Sequence, residues 1–510
     1  MQVRSAKRVS TYICSACRVA RRSGLKRYAS TSPDIYDVVA VGGGPAGLAL
    51  LMALKSSPKT SHLKTALIET QDLAKQSQWT LPSQQYSNRA SSLTPSSVEF
   101  LENSGAWAHV DPDRTQPYNA MQVWDASNDA SIQFDWKADA QRYNASPRSV
   151  ATMTENANLT AGLLKRIEEL GALDSLLSNT KVSSIQMGED DSEGLDLSNW
   201  PVLSLQSSSD SSDLSRIAAR LLVGADGFNS PVRAFAGINS HGWDYNRHGV
   251  VATIKVANSE VLQDAGAVVA YQRFLPKLGG PIAILPLPNG HASLVWSTTP
   301  ANAAFLKSLS AEEFVAMVNA ALLLEQTDLT FMLNKDNGST ITLLDEFQWR
   351  EKHVVGQHGL TLLPRVLSVQ ENSVASFPLR FRHATTLTGP RIALIGDAAH
   401  TVHPLAGQGL NLGLADARSL AETVAYCVEH GMDIGDSMAL ERYGGDRFGK
   451  GLLMCGGVDA LNWMYQLGTG DGIMSNVVSG ARGLGMKFFG SGFAEQTGLK
   501  GRIMKLAEGS

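Results

Sequence analysis

The feature that most constrains the fold of this chain is a glycine-rich turn that joins a short apolar strand to a helix. Residues 37–41 are rich in β-branched side chains and run directly into the sequence GGGPAG at residues 42–47. Gly42, Gly44 and Gly47 form a G-x-G-x-x-G pattern, which permits a tight turn and presents the free N–H groups of a helix to a pyrophosphate. We expect a side chain at Gly44 to clash at the turn.

A second predicted strand follows the helix and also ends at a polar residue. It spans residues 65–69 and terminates in Glu69, an acid that can accept hydrogen bonds from a ribose diol. The strand, turn, helix and second strand together predict a βαβ dinucleotide-binding unit.

Two later strands each deliver an acid beside a glycine. The sequence LLVGADG at residues 221–227 carries Asp226, and IALIGDAAH at residues 392–400 carries Asp397. Ligands bind at the carboxyl ends of strands in open α/β sheets, and a carboxylate there suits a polyhydroxyl chain such as ribityl. Taken alone, the first of these sequences is equally typical of an ordinary Asp-Gly turn. His400 has a structural or a proton-transfer interpretation, and we favour the structural one.

The residues after His400 predict a contact site for a flavin ring. A helix start there would direct backbone amides at the ring, and such amides stabilise negative charge on a reduced flavin. The residues concerned are Pro404, Gly407, Gly409, Leu410 and Asn411.

Composition and charge limit the class of protein. The chain has 510 residues, of which 43% are hydrophobic and 18% charged, as is typical of a globular enzyme with two connected domains. Its formal net charge of -4 gives no sign of a nucleic-acid partner. No stretch approaches the ~18 consecutive apolar residues that a membrane-spanning helix requires.

The first 32 residues differ from the rest of the chain. They contain eight basic residues and no acid, and the first acid is Asp34. A basic, serine-rich and acid-free leader predicts a mitochondrial transit peptide. The alternative is a basic tail that binds anionic surfaces. Cys14 and Cys17 lie in this leader without further zinc ligands nearby, so we interpret the pair as incidental.

The strand signals predict a nucleotide-binding domain that the chain leaves and re-enters. Polar residues 188–215 indicate a serine-rich surface insertion, and residues 250–300 contain four strand-like segments typical of an antiparallel sheet. The predicted divisions are a leader at 1–32, nucleotide-domain segments at 33–115, 220–245 and 385–455, a mixed segment at 116–219, a substrate domain at 246–384 and a helical region at 456–510.

The three motifs, in this order, resemble the class A flavoprotein monooxygenases of the para-hydroxybenzoate hydroxylase type. The resemblance covers nearly the whole chain after residue 33. It implies that Asp226 belongs to a fingerprint for FAD and reduced nicotinamide, and that Asp397 holds the ribityl chain. Arg89, in the sequence SNRASSL, matches an arginine near the flavin and pyrophosphate, and Asn156 matches a flavin-contacting amide.

Finer matches, among them MQVWD at 121–125, QRFLP at 272–276 and HPLAGQG at 403–409, resemble the mitochondrial branch of the ubiquinone-biosynthesis monooxygenases. The implied fold is α/β: a Rossmann-like FAD-binding domain of the glutathione-reductase type, with an inserted antiparallel-sheet substrate domain and a helical C-terminal region. The implied reaction uses FAD and molecular oxygen, through a flavin hydroperoxide, to hydroxylate a polyprenylated phenol at ring carbon 5. We identify no catalytic base.

The same resemblance implies partners and a location. Electrons would come through ferredoxin and ferredoxin reductase, and the enzyme would work with other ubiquinone-biosynthesis proteins as a peripheral protein on the matrix side of the inner mitochondrial membrane. Residues 458–506 combine apolar and basic side chains, which predicts either a membrane contact or a helix packed on protein.

Two other functions fit the sequence less well. One is a soluble NAD(P)H-dependent aromatic hydroxylase of the salicylate type, and the other is a non-catalytic FAD-binding scaffold of a protein complex. Ile282, Leu285 and Leu294 suit a wall for an aromatic ring and a prenyl tail, although for each one taken singly we favour the interpretation as a core residue.

Overall fold

The parallel strands that carry the three motifs lie side by side in one sheet. The computed structural model describes residues 33–127, 130–135, 149–190, 196–207, 214–257, 263–264, 267–334, 341–354, 364–402 and 408–466. Strand β1 (Asp34–Val41) lies between β2 (Thr65–Ile68) and β11 (Leu214–Gly224), and β20 (Ile392–Leu394) pairs with β11, all in parallel. Their continuous apolar runs are typical of strands buried on both faces.

Four more strands extend this first sheet among the described residues. The strands β8 and β19 complete the order β19-β20-β11-β1-β2-β8, while β10 pairs antiparallel with both β11 and β9. Their bounds are β8 (Leu176–Leu177), β9 (Thr180–Met187), β10 (Pro201–Ser207) and β19 (Thr388–Gly389).

The predicted serine-rich insertion is wrong for part of its length. Residues 201–207 form β10, in which Val202, Leu203 and Leu205 are buried. Residues 191–195 and 208–213 lie outside the described residues. The re-entering strand β11 also begins at Leu214 rather than at residue 220, so the polar composition concealed the ends of two strands.

A second sheet contains the strands of residues 246–384, the segment predicted as a substrate domain, together with strands from outside it, and a small third sheet lies beside it. The second sheet follows the order β21-β18-β12-β16-β15-β14-β5-β6, with β13 beside β14 and β17 beside β12. All its pairs are antiparallel except that of β5 with β14. The strands are β5 (Ala120–Asp125), β6 (Ser131–Asp135), β12 (Ser240–Val256), β13 (Gln263–Asp264), β14 (Ala267–Leu275), β15 (Gly280–Pro286), β16 (His291–Thr298), β17 (Val366–Val369), β18 (Ala375–Ala384), β21 (His400–Thr401), and, in the third sheet, β3 (Ala90–Leu93), β4 (Thr115–Tyr118) and β7 (Ala151–Glu155).

Helices pack on both sheets. The described residues form α1 (Pro45–Ser56), α2 (Leu73–Ser77), α3 (Pro95–Asn103), α4 (Asn156–Glu169), α5 (Pro231–Phe235), α6 (Pro300–Ser308), α7 (Ala311–Leu323), α8 (Gln326–Leu333), α9 (Leu343–Val354), α10 (Gln408–Glu429) and α11 (Ser437–Gln466). Among these described helices, none has the length and apolar content needed to cross a membrane. The predicted membrane-contact stretch lies outside the described residues from position 467 onward.

The two faces of the second sheet have different neighbours. Ile282 and Leu294 are fully buried beside Phe314 of α7 in one core cluster. Leu285 packs in a different cluster, with Tyr86 and Met153. Because side chains alternate between faces along a strand, Ile282 and Leu294 point away from the face that Leu285 occupies. The interpretation of Ile282 and Leu294 as a wall for a ring is therefore wrong, and they are core residues.

The boundary at residue 245 also shifts. Strand β12 begins at Ser240, so the last residues assigned to the second nucleotide-domain segment belong to the second sheet.

Candidate functional site

The three motifs meet at the carboxyl edge of the first sheet. Val41 pairs with Gly224, and Gly224 in turn pairs with Leu394, so the three strands end level with one another. The Ala225 amide donates to the Val41 carbonyl at 2.8 Å, and the Ile395 amide donates to the Gly224 carbonyl at 2.9 Å. Segments that are far apart in the chain therefore form one continuous site.

Two glycines of the first motif are required by the packing of the turn. Gly42 has φ +109, and a Cβ there would lie 2.2 Å from the Ala225 carbonyl oxygen. A Cβ at Gly47 would lie 2.1 Å from the carbonyl oxygen of Gly42. These contacts let the helix, the turn and the second motif approach one another closely.

Gly44 differs from these two, and the expected steric clash at this residue is wrong. Its φ is -70, and a Cβ there would meet no protein atom within 4 Å. The space beside Gly44 is open because the Cβ direction points out of the turn. The structure therefore leaves room for a group beside this backbone, as a bound pyrophosphate requires.

Helix α1 directs its N-terminus at the same space. It begins at Pro45, no side chain caps it, and its first N–H groups have no intrahelical partner. Unpaired amides and the helix dipole favour an anion there.

Glu69 closes the other side of the turn. Its Oε2 accepts a hydrogen bond from the Gly43 amide at 2.6 Å, and its Oε1 accepts from the Gln71 amide at 2.8 Å and the Thr70 hydroxyl at 3.0 Å. A carboxylate has about four acceptor positions, so one is left for a hydroxyl of a ligand.

Arg89 and Asn156 lie next to each other. The Asn156 amide donates to the Arg89 carbonyl at 2.9 Å, and the Ser91 hydroxyl donates to Asn156 Oδ1 at 2.6 Å. The Arg89 side chain is exposed, and its guanidinium makes no hydrogen bond or ion pair within the part of the chain that the structure describes. An unpaired guanidinium suits a phosphate oxygen.

Of the two carboxylate oxygens of Asp226, one accepts a hydrogen bond from the backbone and the other is left without a partner among the described residues. Its Oδ2 accepts from the Val232 amide at 3.1 Å, at the start of α5. Its Oδ1 is buried without a hydrogen-bond partner among the described residues. Burial raises the pKa of this carboxyl, against the hydrogen bonds from Ser230 and Val232, which lower it.

Asp397 follows Gly396 in the turn after β20. Gly396 has φ +59 and packs against Ala46 of α1, so the third motif touches the first. The Asp397 side chain is open to solvent on one side and makes no hydrogen bond to the described residues. The protein on its other sides raises the pKa of Asp397, and the charge of His400 opposes this shift.

A buried network that the motifs did not predict fixes this turn. Asp416 of α10 accepts the Gly396 amide at 3.0 Å and contacts His400 Nε2 at 2.6 Å through one oxygen. Its other oxygen accepts from Arg447 Nε at 2.9 Å. The signal in the sequence was a lone acid among apolar residues of a helix, and its partners are too distant in the chain to be inferred.

The charges of this network are paired. Burial lowers the pKa of His400, but the charge and hydrogen bond of Asp416 outweigh burial and leave that pKa raised. The pKa of Asp416 is lowered, because His400 and Arg447 outweigh the effect of burial. His400 is 2% exposed, which supports its structural interpretation.

The predicted flavin-contact residues differ in how far the protein itself already engages them. The Asn411 side chain accepts from the Thr94 amide at 3.0 Å and donates to the Ser92 carbonyl at 2.8 Å, so it attaches α10 to the turn after β3. A Cβ at Gly409 would meet only Val402, at 3.8 Å, and Leu410 packs partly against the core. Pro404 and Gly407 lie outside the described residues.

These residues fit FAD. An open backbone at Gly44, an uncapped helix start and an unpaired Asp397 lie at the carboxyl edge of the first sheet, and Arg89, which precedes β3, adds an unpaired guanidinium. They offer anion-binding groups and a carboxylate acceptor, as a dinucleotide with a polyhydroxyl chain requires.

Comparisons with known proteins identify the family. The family described as "FAD binding domain" matches residues 35–335 and 345–447. The mitochondrial ubiquinone biosynthesis monooxygenase COQ6 of Saccharomyces cerevisiae is 37% identical over 456 residues, which cover 87% of this chain and 89% of that protein. The COQ6 proteins of Xenopus tropicalis and Homo sapiens are 37% and 34% identical, cover 88% and 89% of this chain, and are themselves covered to 90% and 91%.

Solved structures agree on the fold. The p-nitrophenol 4-monooxygenase of Pseudomonas putida superposes with a TM-score of 0.63 at 17% identity, covering 93% of this chain and 99% of that one. The anhydrotetracycline hydroxylase OxyS of Streptomyces rimosus has a TM-score of 0.58 at 19% identity, with coverage of 93% and 76%. The expected α/β fold with an FAD-binding domain is confirmed, and the chain is an FAD-dependent monooxygenase that belongs to the family of the mitochondrial ubiquinone biosynthesis monooxygenases COQ6.

Proposed function

We propose that this enzyme hydroxylates the aromatic ring of a polyprenylated phenol in ubiquinone biosynthesis, at ring carbon 5. The main support is that the groups at the carboxyl edge of the first sheet fit FAD in a chain that is similar to COQ6 proteins along most of its length. A phenol bearing a prenyl tail is the substrate class that the relatives' pathway implies.

The cofactor assignments follow the groups left free at the site. Gly42, Gly44 and Gly47 with Glu69 hold the adenosine and pyrophosphate half, and Arg89 binds a phosphate oxygen. Asp397 accepts hydrogen bonds from the ribityl chain. The remaining residues that we assign to the FAD site are Asn156, Asp226, Pro404, Gly407, Gly409, Leu410 and Asn411. Asn411 acts through its backbone, because its side chain is hydrogen-bonded within the protein.

Bound and reduced FAD supplies the activation of molecular oxygen that no side chain can provide. The chain's own task is to hold the ring and keep out water. Val251, Ala283 and Val295 occupy neighbouring positions on the sheet face opposite α7, and Ala283 and Val295 are partly exposed. An apolar surface of this kind suits a phenol ring and excludes water from the reaction.

The electron source and the location are part of this proposal. Ferredoxin and ferredoxin reductase would supply electrons, and the protein would act with other ubiquinone-biosynthesis proteins at the matrix side of the inner membrane. The basic, acid-free first 32 residues support mitochondrial import. A direct NAD(P)H-dependent hydroxylase and a non-catalytic FAD scaffold remain the competing functions.

The test is the chemical identity of the quinone precursor in cells that lack the protein. We expect a prenylated phenol without the carbon-5 hydroxyl, identified by mass spectrometry, and its disappearance when the gene is restored. Cells that carry Asp397→Ala should accumulate the same precursor. If the protein were a non-catalytic scaffold, the Asp397→Ala variant would restore its function and the cells would not accumulate the precursor. Accumulation of a precursor that is already hydroxylated at carbon 5 would refute the proposed reaction.

A further inference from the structure

A buried ion pair lies directly behind the segment that carries Arg89. Arg114 Nε and Glu155 Oε2 are 2.6 Å apart, and the two side chains are 7% and 0% exposed. Arg114 precedes β4 and Glu155 ends β7. Burial of two charges costs several kcal/mol in desolvation, so such a pair is weak evidence for stability alone.

Both members of the pair bind the backbone of residues 85–87. Arg114 Nη2 donates to the Gln85 carbonyl at 2.8 Å, and Glu155 Oε1 accepts from the Ser87 amide. The guanidinium of Arg114 also lies 4.8 Å from the centre of the Tyr86 ring. The pair therefore holds the chain on both sides of Tyr86.

Contacts with the second sheet and its turns immobilise the same segment from the other side. Tyr86 is 1% exposed, and its amide donates to Gln370 Oε1 at 2.9 Å. Asn289 Nδ2 donates to the Tyr86 hydroxyl at 3.0 Å, and Asn88 donates to the Ser373 carbonyl. The segment at residues 85–88 is consequently fixed between the third sheet and the second.

Arg89 comes next in the chain and has no comparable contact of its own. Its amide donates to Ser87 Oγ at 3.2 Å, and its carbonyl accepts from Asn156, the residue after Glu155. Its guanidinium has no partner among the described residues. The protein therefore fixes the backbone from which that guanidinium extends, and the pair holds the segment that precedes it.

We propose that Arg114 and Glu155 are positioning residues that hold Arg89 in place for FAD. This rests on the proposed function in one respect, namely that Arg89 binds a phosphate oxygen. The pair contacts neither cofactor nor substrate itself. It acts by keeping the backbone that carries this charged group in place before the ligand arrives, which lowers the ordering that binding would otherwise require.

The experiment is a double-mutant cycle on FAD affinity. Arg89→Ala, Glu155→Gln and the double variant are compared, and the FAD dissociation constant is measured by diluting the holoprotein and following the return of flavin fluorescence. We expect Arg89→Ala to weaken FAD by more than about tenfold, since a charge-assisted hydrogen bond is lost. Glu155→Gln should weaken it by up to about tenfold, and the double variant should bind no more weakly than Arg89→Ala.

A matched control separates positioning from general loss of stability. Arg350 pairs with Asp328 and Glu346 on α8 and α9, in a partly sheltered place away from the first sheet. Arg350→Gln should lower the unfolding temperature and leave the FAD dissociation constant unchanged. If Glu155→Gln does not fold, Arg114→Lys takes its place, because it keeps both charges while losing the contact with Gln85.

The outcomes distinguish this proposal from the proposed function. Independent, multiplicative effects of Arg89→Ala and Glu155→Gln would refute positioning through Arg89 while leaving FAD binding by Arg89 intact. An unchanged affinity in Glu155→Gln would refute it as well. An unchanged affinity in Arg89→Ala would instead refute the assignment of Arg89 to FAD, and the positioning role would fall with it.

Discussion

The two glycines Gly44 and Gly47 predict opposite outcomes for the same substitution. At Gly47 an added Cβ would lie 2.1 Å from the Gly42 carbonyl oxygen and 3.3 Å from the Ala225 Cβ. Both neighbours belong to half-buried turns at the end of the sheet, so the helix must move away from the sheet. Overpacking of this kind costs about 1–3 kcal/mol. At roughly 2–4 °C per kcal/mol for a domain of about 200 residues, Gly47→Ala should lower the unfolding temperature by several degrees.

At Gly44 the same methyl group would enter open space, and φ -70 suits alanine. Gly44→Ala should therefore leave the FAD-free protein as stable as before, or raise its stability by about 0.4–1 kcal/mol through the unfolded state. The methyl group occupies the place that we assign to the pyrophosphate. A displaced charge-assisted hydrogen bond costs about 1.5–3 kcal/mol, which corresponds to a tenfold to hundredfold weaker affinity for FAD.

The assay is thermal unfolding of both variants with and without added FAD, together with the FAD dissociation constant. Gly47→Ala should lose stability in the absence of FAD, whereas Gly44→Ala should lose only the stabilisation that FAD adds. Wild-type FAD affinity in Gly44→Ala would show that the pyrophosphate lies elsewhere. Unaltered unfolding of FAD-free Gly47→Ala would refute the packing argument.

Three further predictions test other parts of the site. Asp397→Ala should weaken FAD about tenfold to hundredfold through loss of a charged acceptor, and a fully flavin-loaded variant at low FAD concentration would contradict that role. The pKa of His400 is raised in the folded protein, so its pairing with Asp416 stabilises the protein fully below pH ~6.5 and progressively less as the pH rises through the folded-state pKa. The difference in unfolding temperature between wild type and His400→Gln should therefore narrow from about pH 6 to 9. A difference that stays constant over this range would contradict the pairing. Leu294→Ala should destabilise the protein by about 2–5 kcal/mol without changing KM for the phenol, whereas Val295→Ala on the opposite face should raise KM, and the reverse pattern would refute the assignment of the faces.

The sequence allowed prediction of those parts of the site that are encoded locally. The strand ends before Gly42, Ala225 and Gly396 could be recognised because each is a short apolar run followed by small residues. Parallel pairing then brings such ends to one edge. The acids Asp226 and Asp397 needed no further information to be selected as candidates.

Other features depend on contacts between distant residues. Asp416 contacts both His400 and Arg447, and no local pattern connects the three. No local pattern connects Arg114 with Glu155 either. The faces of Ile282, Leu285 and Leu294 could not be separated, because a strand that is apolar on both sides lacks the alternation that reveals its buried face. Strand β10 cannot be recognised from composition, because the serines around it outnumber its own apolar residues.

The level ends of β1, β11 and β20 have a consequence for how the protein is made. The site needs Val41, Gly224 and Leu394, together with Arg447 behind them, so it cannot be completed until nearly all of the chain has been synthesised. Contacts this distant in sequence make folding slow, and FAD stabilises only the finished state by mass action. A product shortened before Arg447 should therefore remain without cofactor and be degraded, and a limited supply of FAD should reduce the amount of the enzyme in the cell as well as its activity.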